Sequence, residues 1–251
     1  MSRLQFCYVA ALVGQKPSRI VQRHKIDYGL LGLASLVLVA AFIFSAISKE
    51  LFFQYFGAED SSIENLTAIG LAVAGLALWA RLLPHRATLN RGALALGVLY
   101  GLAYIWAAGE EISWGQRILG FDSPEFFQEN NDQQEFTFHN LVVGGVKLDE
   151  ILFGPILSCI ILSYLIVLPI LWPRAEWVQR LTRRMVVPVP RLHDGVFALA
   201  TTLIIPLLGE SRRWETYECI FALLSLAIFL HSANPIGDDG EPSGRKSHKT
   251  G

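Results

Sequence analysis

GEEISWGQRILGFDSPEFFQENNDQQEFTFHN, residues 109–140, joins two adjacent carboxylates, an arginine and a histidine to the end of an apolar run, Gly92 to Gly109. Such a run has the length and composition of a membrane-crossing helix. Ionisable side chains at membrane depth cost roughly 2.5 to 3.5 kcal/mol each, so Glu110 and Glu111 require partners. The rest of the chain reads as membrane anchoring for this stretch.

With 52% hydrophobic and 17% charged residues, the chain falls among membrane proteins. Six apolar runs are separated by polar turns: Gly29 to Ile47, Ile63 to Leu83, Gly92 to Gly109, Ile151 to Trp172, Gly195 to Gly209 and Cys219 to Leu230. The reading is all-α, a polytopic bundle of six transmembrane helices over 28–233. A cytoplasmic segment, 1–27, precedes it and a disordered cytoplasmic tail, 234–251, follows. Leu4 to Gly14 reads as an interfacial helix rather than a signal peptide, because it lacks a small-residue cleavage site. Cys7, Cys159 and Cys219 have no metal-like spacing and are expected as free thiols. The third helix is expected to run past the carboxylates to Leu119 and stop at Gly120. The outer loop, 110–149, should then carry a short interfacial helix capped by Asp122.

Lysine and arginine decide the orientation. Of the 21, 16 fall in the N-terminal segment, the turn at 84, the loop at 173 and the tail, and 5 in the alternate segments. Both termini are therefore expected in the cytoplasm, and the protein in the inner (plasma) membrane. In the basic loop, Trp177, Val178 and Leu181 are spaced to lay one side of a short helix on lipid.

This topology gathers Glu64, Glu110, Glu111, His139, Glu210, Glu215 and Glu218 at the outer face. Helical spacing from Glu110 aligns it with Ser113, Trp114 and Arg117, so Glu110 is expected to pair with Arg117. G-E-x-x-x-W occurs twice, at Gly109, Glu110, Trp114 and at Gly209, Glu210, Trp214. The chemical roles expected are Glu110, Glu111, Arg117 and His139 for catalysis, and Trp114, Gln116, Asn140, Glu210, Arg213, Trp214 and Glu218 for ligand contact. Glu111 with His139 could also ligate a divalent metal. There is no H-E-x-x-H, Walker loop or G-x-S-x-G elbow. Three classes stay open: a protein binding a lipid or lipid-linked ligand in an acidic pocket, a membrane hydrolase or transferase using Glu and His, and a transporter subunit. The expected partners are membrane lipids and another membrane protein, with no nucleic acid. Asp27 and Asp194 are the carboxylates a transporter would have near the inner face.

Glu59, Asp60 and Glu64, the string GEEISWGQR, Pro124, Asn130 and the pair His139, Asn140 together resemble a family of uncharacterised bacterial multi-pass inner-membrane proteins. The likeness covers residues 59–141 and implies a location rather than an activity. The Glu-Glu pair followed by arginine also resembles intramembrane glutamate proteases of the CAAX-processing type. Three departures weigh against that second likeness: Arg117 follows Glu111 by six residues rather than four, Phe136 precedes His139 by three rather than four, and His231 is placed on the opposite side.

Overall fold

A computed structural model describes residues 17–234 and 236, with side chains from residue 25 onward. The expected interfacial helix at 4–14, Cys7 and most of the tail lie outside the described residues. Four helices are long and apolar enough to cross a membrane, within Lys25–Ile47, Lys49–His85, Arg91–Glu111 and Asp149–Leu171. The first belongs to α1 (Pro17–Ile47). The second contains α2 (Lys49–Phe52), a wide turn and α3 (Ser62–Leu82). The third is α4 (Arg91–Glu111). Two short helices follow, α5 (Gln116–Leu119) and α6 (Glu125–Asn130). A two-stranded antiparallel hairpin, β1 (Val142–Val143) and β2 (Val146–Lys147), turns on Gly144 and Gly145, both at positive φ. Helix α7 (Asp149–Leu171) leads to α8 (Glu176–Arg184), α9 (Leu192–Ile204) and α10 (Arg213–Leu230).

The bundle is built on α10. From Cys219 to Phe229 all but one of its side chains are buried, and it packs against α1 and α3. The uncharged run Cys219 to Leu230, read as a sixth crossing of 12 residues, lies within a longer helix. α10 has 18 residues, about 27 Å of rise, because Arg213, Glu215 and Glu218 are helical too. Helix α3 meets α4 and α10 through small residues. A Cβ on Gly75 would stand 2.8 Å from the Gly101 carbonyl, and one on Gly70 3.1 Å from the Ala222 Cβ. Small residues let helix backbones approach where lipid supplies no hydrophobic drive. Helix α7 is exposed or half-buried along its length, with Leu165 and Pro169 its buried residues. Its turns widen to π geometry at Asp149–Ile156, which contains Pro155, and at Ser163–Val167, just before Pro169. A ring without an N–H cannot sit in a regular turn, and a wider turn relieves the clash.

At the end of the bundle opposite the acidic loop, Asp27 is sealed between Arg191 and His231. Arg191 Nη1 lies 2.5 Å from Asp27 Oδ2, and His231 Nδ1 lies 2.5 Å from Oδ1. Arg191 also reaches Asp194, itself fully buried, and Asp194 Oδ2 accepts from the Arg191 backbone N–H at 2.8 Å to cap α9. Asn234, expected as the first residue of a disordered tail, is instead buried: it accepts from the Val189 N–H at 2.8 Å and donates to the Val187 carbonyl at 2.9 Å.

Candidate functional site

Helix α4 stops at Glu111 rather than at Leu119. Ser113, Trp114 and Gly115 all take positive φ, 47°, 55° and 75°, and turn the chain back on itself. For Ser113 and Trp114 this conformation costs roughly 1 to 2 kcal/mol each. Three contacts hold it. The Ser113 hydroxyl bonds the Glu135 carboxylate, Gly115 N–H donates to the Ile112 carbonyl at 2.8 Å, and Trp114 Nε1 donates to Glu110 Oε1 at 2.8 Å. The indole covers Gly109, where a Cβ would come within 2.8 Å of the ring.

The reversal corrects the expected Glu110–Arg117 pair, since helical spacing does not apply across it. Glu110 is buried and satisfied by donors. Its Oε2 accepts from Phe138 N–H at 2.6 Å and His139 N–H at 3.1 Å, with His139 Nδ1 at 3.3 Å. Arg117 faces four other carboxylates: Glu59 at 2.6 Å, Glu135 at 2.8 Å, Asp60 at 2.9 Å and Glu64 at 3.8 Å. Its Nε and Nη2 make ion-pair contacts without hydrogen-bond geometry. Burial works against the Arg117 charge, but Glu135, Asp60, Glu64 and Glu59 outweigh it and raise its pKa. Burial pushes the Glu135 carboxyl up, and a hydrogen bond shared with Glu59 pushes it the same way, against Ser113 and Arg117.

Gln116 and Asn140, expected at a ligand, are joined to the loop. Gln116 Oε1 accepts from Ser123 Oγ and Phe136 N–H, each at 2.9 Å, and Asn140 Nδ2 donates to Gln133 at 2.6 Å. Asp122 does not cap α6, whose N-cap position is Pro124. Phe127 is buried edge-on to Phe136 and Phe138.

The second G-E-x-x-x-W has a different geometry. Gly209 ends a turn at φ 73° and α10 starts only at Arg213. Glu210 accepts from Ser45 Oγ at 2.7 Å, and the Arg213 guanidinium lies 5.1 Å from the centre of the Trp214 ring while Nη1 donates to the Glu210 carbonyl. No Glu210–Trp214 bond repeats the Glu110–Trp114 one.

Four carboxylates remain around one point at this end of α3, α4 and α10. Glu111 stands within electrostatic reach of Glu215, Glu64 and Glu110, and Glu218 within reach of Glu111, Glu215 and Glu64. Glu215 is paired with Arg212 at 3.2 Å, and Glu64 accepts from Asp60 N–H. Glu111 and Glu218 make no hydrogen bond or ion pair among the described residues, and Glu111 is half-buried while Glu218 is exposed. His139 stands within electrostatic reach of Glu215. The sequence reading placed Glu111, Glu218 and His139 here. It gave Glu135 no part, named Glu59 only within the resemblance, and gave Glu64 and Glu215 no role beyond their place at this face. Among the described residues no group of three or more His, Cys, Asp or Glu side chains is arranged to hold a metal ion. No protein-family model, curated protein or solved structure matches this chain.

Proposed function

We propose that this is a six-crossing inner-membrane protein with both termini in the cytoplasm, which binds the cationic head of an amine-bearing lipid or lipid-linked ligand between α3, α4 and α10. One observation carries the reading: Glu111 and Glu218 are open and unpaired where Glu64 and Glu215 are already engaged. Eight carboxylates (Glu59, Asp60, Glu64, Glu110, Glu111, Glu135, Glu215, Glu218) share this end with Arg117 and Arg212. A ligand ammonium would offset that excess at the spot where no side chain does. The residues resembling the inner-membrane family mostly stitch the loop to the helix ends, and so hold Glu111 in place. Native mass spectrometry in detergent with phosphatidylethanolamine and phosphatidylglycerol tests it. The wild type should retain the amine lipid selectively, and Glu111→Gln with Glu218→Gln should not; absence of amine selectivity in the wild type would refute the reading.

A second reading, a hydrolase or transferase, has its own observation. Glu110 fixes His139 through Nδ1, which leaves Nε2 as the nitrogen a reacting group would meet. Product formation from a membrane lipid extract that stops in His139→Gln would favour it. The transporter reading finds Asp27 and Asp194 already committed to Arg191 and His231.

A further inference from the structure

Helix α8 has one face turned into the protein and one turned out. Val178, Gln179 and Thr182 are buried, and Gln179 Nε2 donates to the Trp172 carbonyl at 2.8 Å, which pins the helix to the end of α7. Val178, expected on lipid, is therefore part of the protein's interior. Trp177 and Leu181, four residues apart, are the large apolar side chains exposed, at 60% and 47%. Around them Arg174, Arg180, Arg183 and Arg184 are exposed, and among the described residues none has a carboxylate partner. Arg117, Arg191 and Arg212, by contrast, are each paired with acids. The indole N–H of Trp172, in the turn before α8, is shielded and has no acceptor.

We propose that α8 and the turn before it form a binding surface for anionic phospholipid headgroups. Leu171 ends a membrane-length helix, so α8 begins five residues beyond a bilayer boundary. At that depth an exposed tryptophan and leucine enter the interface between headgroups and chains, and the arginines beside them meet lipid phosphates. Arginine suits this role, because its fork of donors matches phosphate oxygens. Under the proposed topology this is the cytoplasmic leaflet; the binding itself does not depend on that assignment or on the acidic site.

The test uses the full chain in detergent, titrated with phosphatidylglycerol or phosphatidylcholine and read by native mass spectrometry. A basic residue at an anionic surface contributes about 1 kcal/mol, or roughly 5-fold in affinity. The wild type should prefer phosphatidylglycerol, R180Q/R183Q/R184Q should lose on the order of 100-fold of that preference, and the triple lysine variant should keep most of it. Trp177→Ala should weaken both lipids alike. Equal retention of the two lipids by the wild type, or an unchanged preference in a folded triple glutamine variant, would overturn the proposal. So would a free polyphosphate competing as well as the lipid does, since that would show a soluble phosphate site.

Discussion

Replacing Glu110 and Glu111 by glutamine, one at a time, separates architecture from site, because the two carboxylates are adjacent in sequence and opposite in environment. Glu110 receives four donors on two oxygens. An amide has one acceptor oxygen. Its best orientation keeps that oxygen toward Phe138 and His139 and turns its NH2 toward the Trp114 indole, donor against donor. Loss of the charge weakens the retained bonds, and the stranded indole N–H costs about 1 to 3 kcal/mol more, for a total of roughly 3 kcal/mol. In a protein of this size that is a fall of about 6 to 12 °C in Tm, read by differential scanning fluorimetry in detergent. Glu111 loses no partner in the same change, and its neighbours are Glu215, Glu64 and Glu110. Neutralising it removes like-charge repulsion, so Glu111→Gln should leave Tm unchanged or raise it. Equal losses in the two variants would refute the distinction. A larger loss at Glu111 would show that it too is a structural anchor.

Three further outcomes follow from particular contacts. Truncation after Ser232 removes Asn234 from Val187 and Val189 and should cost about 2 kcal/mol, read as a lower Tm, whereas truncation after residue 236 should change little. The folded Glu135 carboxyl has a raised pKa, so it holds its proton more tightly than the unfolded chain does. Its contribution to stability is complete below the ordinary value of 4.5 and is lost as pH rises through the folded value, so Glu135→Gln should flatten the decline in Tm between pH 4.5 and 7. Cysteines introduced at the exposed Glu59 and Glu129 should react with an impermeant thiol reagent added outside intact cells, and one at the equally exposed Thr88 should not; labelling at Thr88 would reverse the proposed orientation.

The sequence was most legible where one physical rule acted alone. Runs of uncharged residues located α3, α7 and the membrane-length part of α1 to within a few residues, because the length of an apolar helix depends on little else. It was least legible where side chains overrule local propensity. Ser113 and Trp114 have no intrinsic preference for positive φ, and they adopt it because Glu135 and Glu110 bond them there; those partners become visible only after the loop has folded. Helical spacing carried on to Arg117 therefore failed, although Trp114 still meets Glu110 through the reversed turn. The hairpin at 142–147 did have a signal, Val142 and Val143 before Gly-Gly and Val146 after it, but it was too short to stand out beside the apolar run that follows. The acidic cluster lies between these extremes. Position relative to the membrane put Glu111 and Glu218 at one end, whereas which carboxylates stay unpaired depends on where Arg117 and Arg212 go. Both arginines turn toward Glu59, one from each side, and a turn residue between two crossings thus determines that no arginine reaches Glu111 or Glu218. By the same logic Glu59→Gln should loosen both arginines and let Arg212 swing toward Glu218, weakening cation binding at a site that Glu59 does not touch.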